Sequence, residues 1–183
     1  MTNRLIALLI GGALALWAPP AANAAAAAPA VSAELSAKLK AAVQRAVPAG
    51  MKPVHPVLVL DLGAGSAAAV ELYAEDPEEG TFKGMTAVAG PDGRIRTASL
   101  PDVNTGAREA QAKPDAVFTT EDGAGKKALV MLWWYYTDGT GAPEWHGGSV
   151  YRWNGAAWTE DEARSSKLDN VKTAKAARLK LAR

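Results

Sequence analysis

The chain has 183 residues, and its 20 lysines and arginines nearly balance its 19 aspartates and glutamates. This balance argues against a strongly basic surface, so we expect no nucleic-acid partner. The chain has no cysteine, which excludes disulfide bonds, cysteine nucleophiles and the lipid-bearing cysteine of a bacterial lipoprotein. We therefore expect the folded chain to be stabilised by its hydrophobic core.

The N-terminal segment, positions 1–24, has the three parts of a secretory signal peptide. Arg4 supplies the positive start, Leu5–Trp17 contains the apolar middle, and Ala22-Asn23-Ala24 forms a small-residue cleavage motif. The apolar middle is shorter than the roughly 20 residues of a membrane-spanning helix, so we expect no transmembrane segment in the mature chain. We predict cleavage after Ala24 and a periplasmic location.

Cleavage removes a single charged side chain, that of Arg4, so basic and acidic side chains are equal in number over positions 25–183. The mature chain is long enough for one domain, which we place at 32–183 after a disordered linker over 25–31. Ser32 is positioned to cap a helix that continues to about Val47. Its apolar residues recur every four positions and predict an amphipathic helix that packs on one face of a sheet.

Several short apolar segments after this helix predict strands. Residues 57–60 and 68–73 flank a glycine-rich turn, and residues 85–89 and 94–97 flank the turn Pro91-Asp92-Gly93. The arginines of the second hairpin place it toward a sheet edge. Residues 101–114 are rich in turn formers and predict weak structure.

Ala128–Tyr136 is a run of apolar and aromatic residues bounded by glycine-rich turns. It is too short for a membrane span and predicts a strand, with residues 116–119 forming the strand before it. Alternate side chains point to opposite faces, so Trp133 and Tyr135 face one way and Trp134 and Tyr136 the other. Because both faces are apolar, we expect a central strand that is covered on both sides.

The C-terminal third combines a loop, a hairpin and two helices. Residues 137–148 are rich in glycine and predict a loop, and Asn154-Gly155 predicts a hairpin turn. Thr159 with Glu162 has capping-box spacing for a short helix, and Thr173 is positioned to cap a last helix. The predicted fold class is α+β: a mostly antiparallel sheet of about eight short strands, with an N-terminal helix and two short C-terminal helices.

Two stretches of the chain match each other at a constant offset. Residues 61–65 with 70–73 align with residues 121–125 with 130–133, and each copy precedes a hairpin. We interpret this as two degenerate repeats over about 57–100 and 116–159. Chance similarity in a chain rich in glycine and alanine is the alternative.

The segment Val117–Val130, with its Glu121-Asp122-Gly123-Ala124-Gly125 turn, resembles a degenerate FG-GAP or VCBS-type repeat. The resemblance implies an acidic calcium loop between two strands. The segment from Val150 to Ala174 is similar to the tail of uncharacterised exported proteins of Gram-negative bacteria. Here the first copy keeps only Asp61, and the second keeps adjacent carboxylates that would point apart, so we expect no bound metal.

The sequence offers no convincing catalytic constellation. Only His55 and His146 are available as histidines, and Ser66 lacks the glycine pattern of a nucleophile elbow. Two distant histidines without cysteine also make a poor zinc site. We therefore predict a protein that is not an enzyme and uses no cofactor.

Tryptophans and tyrosines are concentrated between Trp133 and Trp158. They form either core or a groove, and the groove would suit recognition of a protein, a peptide or a glycan. The predicted binding residues are Tyr136, Trp145, His146 and Tyr151. Two alternatives stay open: a cell-envelope hydrolase that uses the loop carboxylates Asp138 and Glu144, and a structural envelope module with a basic C-terminal helix.

Overall fold

The computed structural model describes residues 31–76, 81–101, 111–136 and 144–183. Within these residues, helix α1 (Ala33–Ala46) precedes nine strands, and helices α2 (Glu162–Ser165) and α3 (Ala174–Leu181) flank a 3-10 turn at Ser166–Leu168. The strands are β1 (Lys52–Pro53), β2 (Leu58–Gly63), β3 (Ser66–Asp76), β4 (Thr81–Ala89), β5 (Ile95–Ser99), β6 (Gln111–Gly123), β7 (Lys126–Tyr136), β8 (Trp145–Trp153) and β9 (Trp158–Glu160). The predicted α+β fold class is confirmed.

The predicted signal peptide lies outside the described residues, as do positions 25–30 of the predicted linker. The last linker residue, Val31, packs against the cluster beneath α1. Within the described residues, no helix has both the length and the apolar character needed to cross a lipid bilayer.

The strands form an antiparallel sheet with two halves. The first half has the order β5-β4-β3-β2, with β1 also paired to β3, and the second half contains β6, β7, β8 and β9. The halves join where Gly63 of β2 pairs with Lys126 of β7. Strand β7 lies between β6 and β8, as expected for a central strand.

The two halves enclose a common inner core. Trp133 of β7 belongs to the same buried cluster as Leu72 of β3, and its ring centroid lies 6.1 Å from that of Phe82. Trp158 of β9 donates a buried hydrogen bond from Nε1 to Thr86 Oγ1 of β4 at 2.8 Å. The halves therefore share both apolar packing and a buried polar contact.

Helix α1 covers the outer face of the first half. The Ser32 side chain accepts a hydrogen bond from the Leu35 backbone amide and caps the helix, as predicted. Leu39 and Val43 are fully buried against the alanines of β3 and β4 (Ala67, Ala69, Ala87 and Ala89). Small side chains on the sheet let the helix approach closely, so the two layers pack tightly.

The C-terminal segment covers part of the outer face of the second half. Leu168 and Leu181 pack on a cluster from β6, β7 and β8 (Phe118, Ala128, Val130, Leu132 and Val150). Gly148 makes this packing possible, because a Cβ atom there would lie 2.8 Å from side-chain atoms of Leu132 and Leu168. Residues of β7 that follow Leu132 on the same face lie outside this cluster.

Three local predictions are wrong. Residues 145–148 form the start of β8 instead of a loop, and residues 111–114 belong to β6 instead of a weakly structured segment. The short helix is capped by Asp161, whose side chain accepts a hydrogen bond from the Arg164 amide, while Thr159 lies in β9. In each case pairing with a neighbouring strand overrides the local turn or cap signal.

Candidate functional site

The structure divides the four predicted binding residues between the two faces of the second half. Trp145 pairs with Tyr135 and Tyr151 pairs with Leu129, so both side chains lie on the inner face. Tyr151 belongs to the inner core, and the half-buried Trp145 stacks on Tyr135 beside it. His146 pairs with Trp134 and faces outward, and Tyr136 faces the same way because it lies two residues after Trp134 in β7. Adjacent strand residues point to opposite faces, so Trp145 and His146 are not brought together.

The inward pair contributes to packing. The Tyr135 and Trp145 rings stack with centroids 5.1 Å apart and planes 9° apart. Tyr151 is fully buried, and burial raises the pKa of its hydroxyl. Burial likewise raises the pKa of Tyr135 to about 12. These phenols therefore stay protonated at neutral pH.

The outward residues form a row across three strands. Lys113 of β6 pairs with Trp134 of β7, which in turn pairs with His146 of β8. Directly opposite residues in an antiparallel sheet have their Cβ atoms about 5 Å apart. The register thus places a cation, an indole and an imidazole side by side.

Trp134 of this row and Tyr136 beside it form a partly exposed aromatic surface. Their ring centroids are 5.0 Å apart, with planes inclined by 32°. Lys113 Nζ lies 5.7 Å from the Trp134 centroid and 5.0 Å from the Tyr136 centroid, within cation–π range. Trp134 Nε1 donates a hydrogen bond to Glu144 Oε2 at 3.3 Å. Both rings are therefore held in place by polar neighbours.

His146 and Asp115 extend the same surface. Asp115 lies at a bulge in β6 between Pro114 and Ala116, and its Oδ2 is 3.5 Å from His146 Nδ1. The Asn170 amide donates to the His146 carbonyl at 2.9 Å, which anchors β8 to the segment that precedes α3. The His146 backbone is thus anchored, and its imidazole lies close to a partly exposed carboxylate.

We call these six residues the outer aromatic patch: Lys113, Asp115, Trp134, Tyr136, Glu144 and His146. It combines two aromatic rings with a cation, two carboxylates and an imidazole. Paired strands position most of these groups, so the patch is built on a rigid scaffold. Such a surface can stack on an apolar ring face and exchange hydrogen bonds with polar groups at the ring edge.

The structure also places most of the carboxylates that were considered for hydrolysis or for calcium binding. Glu144 is exposed and bonded to Trp134, and Asp138 lies outside the described residues. Asp61 accepts from Lys127 Nζ at 2.7 Å, and Asp122 accepts from Arg164 at 2.6 Å and Arg152 at 2.9 Å. In the part of the chain that is described, no three acidic or histidine side chains are grouped to hold a metal ion.

The basic C-terminal segment has structural contacts of its own. The Arg178 guanidinium lies 4.6 Å from the Phe118 ring centroid, and Lys180 Nζ donates to the Asp169 carbonyl at 3.2 Å. Ala177 and Leu181 are buried in the cluster beneath α3. This segment therefore contributes to the fold.

Sequence reasoning missed three members of the outer aromatic patch. Lys113 lies in the segment interpreted as weakly structured, and Asp115 directly follows it. For Trp134, the alternation along β7 indicated the face on which the side chain lies but not that the side chain is partly exposed. The β6–β7 register was the missing information, because it brings Lys113 opposite Trp134. No protein-family model, curated protein or solved structure matches this chain.

Proposed function

We propose that this chain is a non-enzymatic binding protein of the bacterial periplasm that recognises a glycan through the outer aromatic patch. The observation that carries the proposal is the pair of partly exposed rings, Trp134 and Tyr136, held beside Lys113 and Glu144. The apolar N-terminal segment with its Ala22-Asn23-Ala24 end supports export.

The chemistry of the patch favours a sugar ring. The C–H face of a pyranose is apolar and flat enough to stack on an indole or a phenol, while its hydroxyls need donors and acceptors at the ring edge. Lys113 supplies donors, and Glu144 and Asp115 supply acceptors. Both charge signs occur in the patch, which suits a ligand rich in hydroxyl groups better than a strongly charged one.

The proposal is tested by titrating the purified protein with chitotetraose and with soluble peptidoglycan fragments, using isothermal calorimetry. We expect Trp134→Ala to weaken binding about tenfold or more, because it removes the larger ring of the patch. Trp145→Ala is the matched control, since it removes an indole from the adjoining strand on the opposite face. Circular dichroism and thermal unfolding establish that both variants are folded.

Retained binding in Trp145→Ala with loss in Trp134→Ala supports the proposal. Equal loss in both variants contradicts it, as does a folded wild-type protein that binds neither glycan. Binding of an unstructured peptide at the same patch would transfer the function to peptide recognition.

A further inference from the structure

A cavity of about 430 Å³ lies at the opposite end of β7 from the outer aromatic patch. Turns from both halves of the sheet line it: the Gly63-Ala64 turn, the Pro91-Asp92 turn, the start of β7 and the Asn154-Gly155 turn. We call it the turn cavity. Every residue that lines it belongs to the described part of the chain.

The seam between the two halves holds the turn cavity in shape. Gly63 pairs with Lys126, and Lys127 Nζ bonds to Asp61 Oδ2 at 2.7 Å across the same seam. Asp61 Oδ1 also accepts from the Gly63 amide at 2.9 Å. The walls are therefore connected by backbone pairing and by an ion pair.

The turn cavity concentrates positive charge in a nearly neutral chain. Arg96, Lys126 and Lys127 line it together with a single carboxylate, that of Asp92. Arg96 pairs with Asp92 at 3.2 Å, and Lys127 pairs with Asp61. Among the described residues no carboxylate pairs with the Lys126 ammonium, so this charge is available to an anion.

Asn154 adds a second donor. Its side-chain oxygen accepts from the Ala156 and Ala157 amides at 2.9 Å each, which fixes the orientation of the side chain. The amide nitrogen is then left to donate to a ligand. A fixed donor and an available ammonium that line the same cavity can together bind a carboxylate or a phosphate.

Trp153 and Pro91 give the same cavity an apolar wall. The Trp153 ring is partly buried and packs on Trp158, with centroids 5.3 Å apart and planes inclined by 54°. This contact holds the indole in place beside the cavity. Aromatic and apolar walls with a few convergent polar groups are typical of small-molecule sites.

We propose that the turn cavity binds a small organic anion that carries a flat ring. Lys126 and Asn154 hold the carboxylate or phosphate group, and Trp153 contacts the ring. The site shares no residue with the outer aromatic patch, so it stands independently of glycan binding. The proposed ligand is smaller than a sugar chain. It also carries a negative charge, which a neutral glycan lacks.

The test is a titration of ¹⁵N-labelled protein with phenyl phosphate and with benzoate, followed by two-dimensional NMR. We expect saturable shifts of the Lys126 and Asn154 amides and of the Trp153 indole signal. Inorganic phosphate and benzyl alcohol each carry half of the ligand chemistry, and we expect each to bind about tenfold more weakly or worse.

Lys126→Gln is expected to weaken phenyl phosphate binding about fivefold or more, because it removes the available charge. Trp153→Phe keeps the packing on Trp158 but reduces the stacking area, and a smaller loss is expected. Lys175→Gln, an exposed lysine on α3, is the matched control and should change nothing.

Shifts spread over all surface lysines, or a loss of equal size in Lys175→Gln, would overturn the proposal. So would the absence of saturable shifts up to about 10 mM ligand, a concentration at which a specific site for such an anion should be occupied. Saturable binding of phenyl phosphate or of benzoate at these residues supports the proposal, and the tighter of the two identifies the anionic group that the site takes.

Discussion

The two halves of the sheet share a strand plan, but equivalent positions in them point to opposite sides of the sheet. Val70 of β3 and Val130 of β7 hold equivalent positions in the two matching stretches, yet Val70 lies in the inner core and Val130 on the outer face. Ala68 and Ala128 differ in the same way. The halves are therefore stacked in the same orientation: the face that points inward in the first half points outward in the second. The two outer faces of the molecule are for this reason not equivalent.

This difference explains why the two faces carry different covers. The first outer face presents alanines and packs against α1, whereas the second presents larger side chains and is covered by the C-terminal segment over part of its length. Beyond that cover lies the outer aromatic patch. A face packed beneath a helix serves stability, whereas a partly covered face leaves some of its side chains exposed.

Substituting alanine for the equivalent glycines Gly63 and Gly123 should give the largest difference in stability between the two halves. Gly63 and Gly123 both have positive φ, at 71° and 85°, but a Cβ at Gly63 would collide with the Gly125 carbonyl, whereas one at Gly123 meets nothing within 4 Å. We expect Gly63→Ala to lower the free energy of unfolding by about 3 to 5 kcal/mol, from left-handed strain and overpacking together.

Gly123→Ala is the matched control, with an expected loss of about 1 kcal/mol from backbone strain alone. Urea denaturation followed by tryptophan fluorescence measures both values. Equal losses in the two variants would show that the contact between the turns adds nothing to stability.

Truncating the helix cover should have the next largest effect. Leu39 of α1 is fully buried, so we expect Leu39→Ala to lower the free energy of unfolding by about 3 kcal/mol, as is typical of large-to-small changes in a core. Leu179→Ala on α3 is the control, because its side chain is 60 % exposed and its loss should be within about 0.5 kcal/mol. A small loss for Leu39→Ala would mean that α1 is not essential to the first half.

The smallest expected effect concerns a carboxyl group in the first half. Glu71 occupies the position that Met131 occupies in the second half. Burial raises the pKa of the Glu71 carboxyl, and the nearby charge of His55 partly opposes this increase. A carboxyl whose pKa is raised by folding binds more protons in the native state. Its ionisation therefore costs stability as the pH rises from about 4.5 through the native pKa.

Glu71→Gln should abolish this loss of stability with rising pH, and denaturation at several pH values between 4 and 7 measures it. Asp61→Asn is the contrasting variant. The hydrogen bond from Lys127 lowers the pKa of Asp61, so its contribution is present above the ordinary value of 3.8 and is lost as the pH falls. An unchanged pH profile in Glu71→Gln would contradict the assignment to Glu71.

The local elements could be predicted because their signals lie close together in the sequence. Ser32 with the four-residue apolar spacing predicted α1, the run from Ala128 predicted β7, and Pro91-Asp92-Gly93 predicted the β4–β5 hairpin. Caps, alternation and turn residues act through neighbours along the chain. The α+β fold class followed from these elements.

The candidate site depended on information that the sequence does not display. Trp145 and His146 are adjacent in the chain but lie on opposite faces, while Lys113 and Trp134 are distant in the chain but directly opposed. Register between strands decides which side chains meet, and a shift of one residue would exchange the faces.

The sequence by itself determined the helix N-cap at Ser32, the strand alternation, the nearly neutral net charge and the absence of cysteine chemistry. The tertiary structure decided that the two halves stack in one orientation and that the patch lies beyond the helical cover. It also assembled the turn cavity from segments that are far apart in the chain. These properties arise from packing between distant segments, and long-range pairing is not encoded in any local stretch of residues.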